Sequence, residues 1–290
     1  MHLLILTDGK KGHENQSLGL AEAMLRRQNG SYEVSHFSDS LVGTSDGKKP
    51  HAIIAAGHAT HPFLLRLARR YRCPSVVIMK PSLPAFLFSH CLVPEHDLKP
   101  KRKLPKNSIP TKGALNRIPE EIPPKEDKGL LMLGGPSKHF TWENEPVINA
   151  IETIVQSQPQ LTWTVGDSRR TPANVLAQLS AKNLPLTLAP HQENGGSWLA
   201  DQLLTSQTPW ITPDSTSMLF EALTARCRLG TLPLKANDTR LSRAHDQLAA
   251  DHYLTPFISH DPRLGLPAPP TTLHETARCA EILLDKISIR

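Results

Sequence analysis

The chain predicts an α/β protein built from two doubly wound domains, each a mostly parallel sheet with helices on both faces. Three observations predict it. Short apolar runs alternate with amphipathic stretches of helical period along both halves of the chain. A Pro- and Lys-rich segment near the middle holds no period of either kind. A length of 290 residues also exceeds the roughly 100–200 residues usual for one domain.

In the first half, residues 2–7 and 52–56 are apolar runs suited to buried parallel strands, and residues 32–37 alternate as a strand does. Residues 16–28 and 62–71 each place leucines and alanines on one helical stripe. Residues 75–79 and 90–93 are further strand candidates. From 99 to 124, six prolines interleave with lysines, which reads as an irregular connection between domains. Strands are then expected at 129–133, 161–165, 184–188, 210–212 and 229–234. Helices are expected at 142–155, 171–181, 196–204, 215–225 and 271–287. The domains are accordingly 1–124 and 125–290, the second closed by the last helix.

Composition narrows the class. Hydrophobic residues at 39% are enough for real cores, and 21% charged residues argues against disorder. The four cysteines form no CxxC pair, which fits reduced structural thiols in a cytosolic protein. The apolar start is four residues long and lacks a basic flank, so it reads as a strand and not as a signal peptide. No run approaches the roughly 18 apolar residues of a membrane span.

The net charge of +6 is uneven: residues 1–124 hold 18 basic and 10 acidic side chains, the remainder 15 and 17. A cationic half suits nucleic acid, anionic lipid or a phosphorylated acceptor. Without a zinc finger, a basic heptad helix or an aromatic RNA-binding signature, nucleic acid ranks last. The stretch from Leu83 to Phe88 could form a peripheral membrane face, although Phe86 and Phe88 as core residues is the preferred reading.

In doubly wound folds, ligands sit outside the carboxyl ends of strands, where glycine lets backbone approach a phosphate. Gly134 and Gly135, with Ser137 and Lys138, follow a strand and form a candidate diphosphate cradle or an ordinary tight turn. Asp214, Ser215, Thr216, Ser217 and Met218 hold more hydroxyls than a helix cap needs. Glu221, one turn on, projects to the same side and can accept ribose hydroxyls, or is a solvated surface acid. Arg169 and Arg170 offer forks suited to phosphate or a base edge.

In the first half, Asp8, Gly9, Lys10, Gly12, His13, Glu14, Asn15 and Gln16 join the first strand to its helix. His13 is a candidate general base, with Glu14 a second base or its orienter. Gly57 repeats the theme of glycine after a strand. His58 and His61 lack a third ligand at recognisable spacing, and no carboxylate cluster resembles a Mg²⁺ or Mn²⁺ site, so no metal is expected.

The stretches TDGKKGHENQSLGLAEAM, MLGGPSKHFTW, DSRRTP and TPDSTSMLFEALTA resemble the bacterial and plant family called mitochondrial-fission Elm-type. Weaker echoes in AAGHATHPFLLRLARR, VPEHD and IPTKGALNRI extend the resemblance over nearly the whole chain. That family is regarded as glycosyltransferases of the B fold (GT-B), and its sequences are also labelled nucleotide-sugar epimerases.

The resemblance implies two Rossmann-like domains facing a cleft, with the nucleotide-sugar donor on the second. It places Gly134, Gly135, Ser137 and Lys138 on the donor phosphates, Arg169 and Arg170 near the nucleotide, residues 215–218 on the diphosphate and Glu221 on the ribose. The loop ending at His13 would lie on the acceptor side. One departure is Lys80-Pro81-Ser82, where many relatives have Asp-Pro-Arg.

The expectation is therefore metal-independent sugar transfer from a nucleotide-sugar co-substrate to an acceptor hydroxyl on a cell-envelope glycan or lipid, with no further cofactor. A nucleotide-sugar epimerase and a non-catalytic scaffold are the alternatives.

Overall fold

Five of the six residues in the strand His2–Thr7 are buried. A strand covered on both faces needs no polar alternation, and such runs mark parallel sheets with helices above and below. The computed structural model describes residues 1–39, 44, 47–98, 103–237 and 239–288. The elements in order are β1 (His2–Thr7), α1 (Lys11–Arg27), β2 (Ser31–His36), β3 (Ala52–Ala56), α2 (His61–Tyr71), β4 (Ser75–Ile78), β5 (His90–Pro94) and β6 (Ser108–Thr111). Then come β7 (Glu126–Met132), β8 (Phe140–Thr141), α3 (Asn144–Ser157), β9 (Thr162–Gly166), α4 (Val175–Ala181), β10 (Leu186–Ala189), α5 (Trp198–Thr205) and β11 (Ser206–Ile211). The chain continues through α6 (Thr216–Thr224), β12 (Gly230–Thr231), β13 (Lys235–Ala236), α7 (Arg240–Ala250), β14 (Thr255–Pro256) and α8 (Glu275–Ser288).

Two compact units result, Met1–Arg117 with His274–Arg290, and Ile118–Leu273. The first holds a parallel six-stranded sheet in the order β2-β1-β3-β4-β5-β6. One face packs Leu3, Ile5 and Ile54 under α1, and the other packs Leu4, Leu6 and Ile53 under α2. The second unit holds a parallel sheet in the order β10-β9-β7-β11-β12-β14, plus the small antiparallel pair β13-β8. Trp163, Trp210 and the buried face of α3 form its core.

Four departures from the sequence expectation have physical causes. The last helix, expected to close the second domain, packs on the first unit. Cys279, Ala280 and Leu283 share a core with Leu20, Ala23 and Met24, and Thr276 exchanges two 3.0 Å hydrogen bonds with the backbone of Asn116. Periodicity shows that a helix has an apolar stripe and says nothing about which sheet covers it.

Part of the supposed connection forms β6 at a sheet edge, the position where a strand tolerates a residue such as Pro110 that cannot donate to a ladder. Residues 99–102 of that segment lie outside the described residues. The third departure concerns α1, which begins five residues earlier than its apolar stripe, so His13, Glu14, Asn15 and Gln16 are helical. Helix α7 was not expected; a reciprocal capping box between Thr239 and Ser242 starts it.

All four cysteines are unpaired, and Cys91, Cys227 and Cys279 are buried. Phe88 is core as expected, whereas Phe86 is 80% exposed. Among the described residues no helix is long and apolar enough to cross a membrane.

Because α8 completes the first core, Leu283→Ala should cost about 2–5 kcal/mol and loosen that unit selectively. Hydrogen exchange should accelerate in β1 and α1 while β7, β9 and β11 keep their protection. Loss of protection confined to the second unit would contradict this placement.

Candidate functional site

In the second unit the chain runs from β7 to β9 and β10 on one side, then returns to β11 on the other. That reversal is a topological switch point, where loops at the carboxyl ends of neighbouring strands diverge and leave a crevice. The loops after β7, β9 and β11 meet there. Gly134 N–H donates to Thr212 Oγ1 at 2.7 Å, and Gly135 N–H to Asp214 Oδ2 at 3.0 Å. Ser168 Oγ donates to the Gly134 carbonyl at 3.0 Å, and Thr171 Oγ1 donates to the Leu133 and Gly134 carbonyls. Arg170 lays its guanidinium 2.7 Å from Asp214 Oδ2.

These bonds correct the expected cradle. Both glycine N–H groups already have acceptors within the protein, so they are not free for a phosphate. The glycines serve close approach instead: a Cβ on Gly134 would lie 2.3 Å from Asp214 Oδ2, and one on Gly135 would lie 2.1 Å from the Arg170 carbonyl. Ser137 Oγ is also engaged, accepting the N–H groups of His139 and Phe140 at 3.1 Å each. Lys138 and Arg169 remain exposed to solvent, while Arg170 is committed to Asp214.

The start of α6 is different. Ser215 occupies the cap position but its side chain makes no cap hydrogen bond. The N–H groups of Thr216, Ser217 and Met218 have no acceptor among the described residues. Unpaired N–H groups at a helix start, aligned with the macrodipole, form an anion site. Glu221 follows one turn later on the same side. Its carboxyl makes no hydrogen bond or ion pair among the described residues, and burial pushes it up to about 7. The Asp214 side chain is fully buried, and its Oδ1 has no partner among the described residues.

Beside this crevice, Asp167 at the end of β9 accepts the backbone N–H of His191 at 2.5 Å and faces its Nδ1 at 3.0 Å. Sequence reading missed this pair. The only signal was an acid and a histidine following two successive strands, 24 residues apart.

The first unit repeats the arrangement at its own switch point, between β1 and β3. Asp8, 4% exposed in its side chain, holds His13 Nδ1 at 3.0 Å and Lys10 Nζ at 3.3 Å. Desolvation pushes the Asp8 carboxyl up, but the Lys10 N–H, the hydrogen bond and charge of His13 and the Lys10 side chain outweigh it and leave it lowered. Gly57, at φ +90°, presses against this pair; a Cβ there would lie 2.5 Å from His13 Nδ1.

Glu14, expected as a base or orienter, instead accepts from Thr7 Oγ1 at 3.1 Å, so Asp8 is the orienter of His13. Thr7 Oγ1 in turn accepts the Gly9 N–H at 3.0 Å, and Gln16 donates to the Gly12 carbonyl at 3.3 Å. Asn15 is half-buried on α1. His61 is buried with Nδ1 on Ser82 at 2.9 Å, and His58 is exposed. Among the described residues no group of three or more His, Cys, Asp or Glu side chains is placed to hold a metal ion.

Solved structures with this architecture place it among GT-B proteins. UDP-GlcNAc 2-epimerase from Methanocaldococcus jannaschii superposes with a TM-score of 0.55 at 12% identity, covering 98% of this chain and 100% of that one. MurG from Acinetobacter baumannii superposes with a TM-score of 0.51 at 11% identity, covering 98% and 99%. The spinosyn forosaminyltransferase SpnP does so with a TM-score of 0.51 at 13% identity, covering 100% and 95%. Identities this low establish the fold alone. No curated protein matches the chain in sequence. The family model described as mitochondrial fission ELM1 matches residues 11–287, and the chain belongs to that family.

Proposed function

We propose that the chain is a glycosyltransferase that binds a nucleotide-sugar at the carboxyl edge of its second sheet and moves the sugar to an acceptor hydroxyl. The single observation that carries this reading is the uncapped start of α6 with Glu221 one turn behind it. Three unbonded N–H groups suit a diphosphate, and an unpartnered carboxyl at that distance suits the two hydroxyls of a ribose. As the sugar leaves, negative charge grows on the diphosphate. A helix start already aimed at it stabilises that charge without reorganising. Exposed Lys138 and Arg169 add positive charge at the neighbouring loops. The Gly134–Gly135 loop gives the crevice its shape by letting Asp214 and Arg170 pack against backbone.

In the first unit, His13 is the proposed base for the acceptor hydroxyl. With Nδ1 held by the Asp8 carboxylate, Nε2 is the nitrogen left to take a proton, and the carboxylate stabilises the imidazolium that forms. Lys10, exposed on the same loop, would favour an anionic acceptor, which fits a phosphorylated hydroxyl compound.

Thr216 is the first residue of α6, where proline is well tolerated and removes the N–H together with the threonine hydroxyl. Thr216→Pro should therefore keep the melting temperature and weaken binding of UDP, GDP or whichever nucleotide binds by about 10- to 100-fold in calorimetry. Unchanged affinity in a folded variant would remove the diphosphate from this helix.

Glu221 supplies a second test. Its folded-state value of about 7 lies above the ordinary 4.5. Between those values the folded chain keeps a proton that the unfolded chain has released, so stability falls as pH rises through this window. Glu221→Gln should raise the melting temperature at pH 8, give no gain near pH 4.5, and weaken nucleotide binding at pH 8. A variant that gains no stability at pH 8 would show the carboxyl to be well solvated.

A further inference from the structure

The amino edge of the first sheet, opposite the end that carries Asp8 and His13, has a composition that the catalytic reading does not use. The segments entering β3, β4, β5 and β6 lie side by side there. Lys48 and Lys49 precede β3, Arg69 and Arg70 end α2 and Arg72 follows it ahead of β4, and Lys103 and Lys106 precede β6; all seven are exposed. Two hydrogen bonds draw the first two groups together. The Thr44 N–H donates to Tyr71 Oη at 2.9 Å, and the Thr44 hydroxyl donates to the Lys48 carbonyl at 2.8 Å. Residues 47–51, 69–75, 84–90 and 103–108 include no Asp or Glu.

In front of β5, within this basic rim, the chain turns outward. Phe86 is 80% and Leu87 45% exposed, while Phe88 is buried at 3%. The turn is braced: Asn107 Nδ2 donates to the carbonyls of Ala85 at 2.7 Å and Phe88 at 2.8 Å, and the Leu87 N–H donates to the Pro84 carbonyl at 3.0 Å. A groove of about 520 Å³ runs beside it, lined by Phe86, Leu87, Phe88, Pro105 and Lys106. An exposed aromatic held in a rigid turn has already lost the freedom that insertion would otherwise remove.

We infer that this edge docks on an anionic lipid bilayer, with Phe86 and Leu87 entering the headgroup–acyl boundary and the seven cations lying on acidic headgroups. Charge complementarity selects the partner class, and the apolar tip selects a bilayer over a polyanion such as RNA, which offers a protruding Phe-Leu turn no apolar phase. Each Lys or Arg near such a surface strengthens partitioning about fivefold. The carboxyl edge of the same sheet then faces away from the lipid. This inference stands independently of the nucleotide site.

The test is sedimentation of the full chain with vesicles of phosphatidylcholine alone or with 30% phosphatidylglycerol, at low and high salt. The expected result is binding to the anionic vesicles only, reduced by salt. Phe86→Ser with Leu87→Ser should weaken it at least tenfold, and Lys103→Glu with Lys106→Glu comparably, while Lys235→Glu in the second unit leaves it unchanged. All five positions are exposed, and a circular-dichroism melt confirms folding. Absence of binding at low salt, or binding indifferent to Phe86 and Leu87, overturns the inference. So does RNA binding as tight as vesicle binding and equally indifferent to those two residues.

Discussion

A buried aspartate at the switch point organises each sheet. In the second unit, Asp214 receives the Gly135 N–H and the Arg170 guanidinium, which fixes the loops after β7 and β9 against the segment that leads into α6. A carboxylate with no exposed surface needs donors, and those of Asp214 converge on Oδ2. The loop geometry follows from that requirement, down to the glycines whose missing Cβ atoms leave room for it. Asp8 repeats the device in the first unit, with the Lys10 N–H and His13 as donors and Gly57 pressed against them. In both units the internal bonds are satisfied by strand-end loops, and the helix or imidazole beside them is left with groups to offer a ligand.

Much of the fold was legible because its determinants are local. Buried parallel strands such as Ala52–Ala56 appear as unbroken apolar runs, and α2 and α3 appear as stripes of helical period. What escaped was non-local or unpatterned. The docking of α8 on α1 is a tertiary choice that joins residues far apart in the chain, such as Arg27 and Glu281 at a separation of 254, and no stripe encodes it. Strand β6 is short, contains proline and sits at an edge, so it lacks the apolar run of an interior strand.

At the candidate site, sequence pointed to loops that the structure joins by hydrogen bonds, and misjudged which groups those bonds leave open. Glycines after a strand have two physical meanings, freeing N–H groups or admitting a neighbour, and composition does not separate them. At Gly134 and Gly135 the second holds, because Thr212 and Asp214 stand within hydrogen-bond reach. His13 was a candidate base in the sequence, but its partner was not legible: Glu14 is its neighbour in the chain and Asp8 lies five residues back, and only the path of α1 brings the Asp8 carboxylate to the ring. The Asp167–His191 pair joins two separate loops and had no motif to announce it.

The central claim is that the anion site of the second unit lies on the start of α6 and not on the glycine loop. A crystal structure of the chain with UDP, or with whichever nucleotide binds, tests it most directly. The account predicts phosphate oxygens on the N–H groups of Thr216, Ser217 and Met218, ribose hydroxyls on Glu221, and the Gly134–Thr212 and Gly135–Asp214 bonds intact. Phosphate seated on the Gly134 and Gly135 N–H groups, with Asp214 displaced, would contradict it.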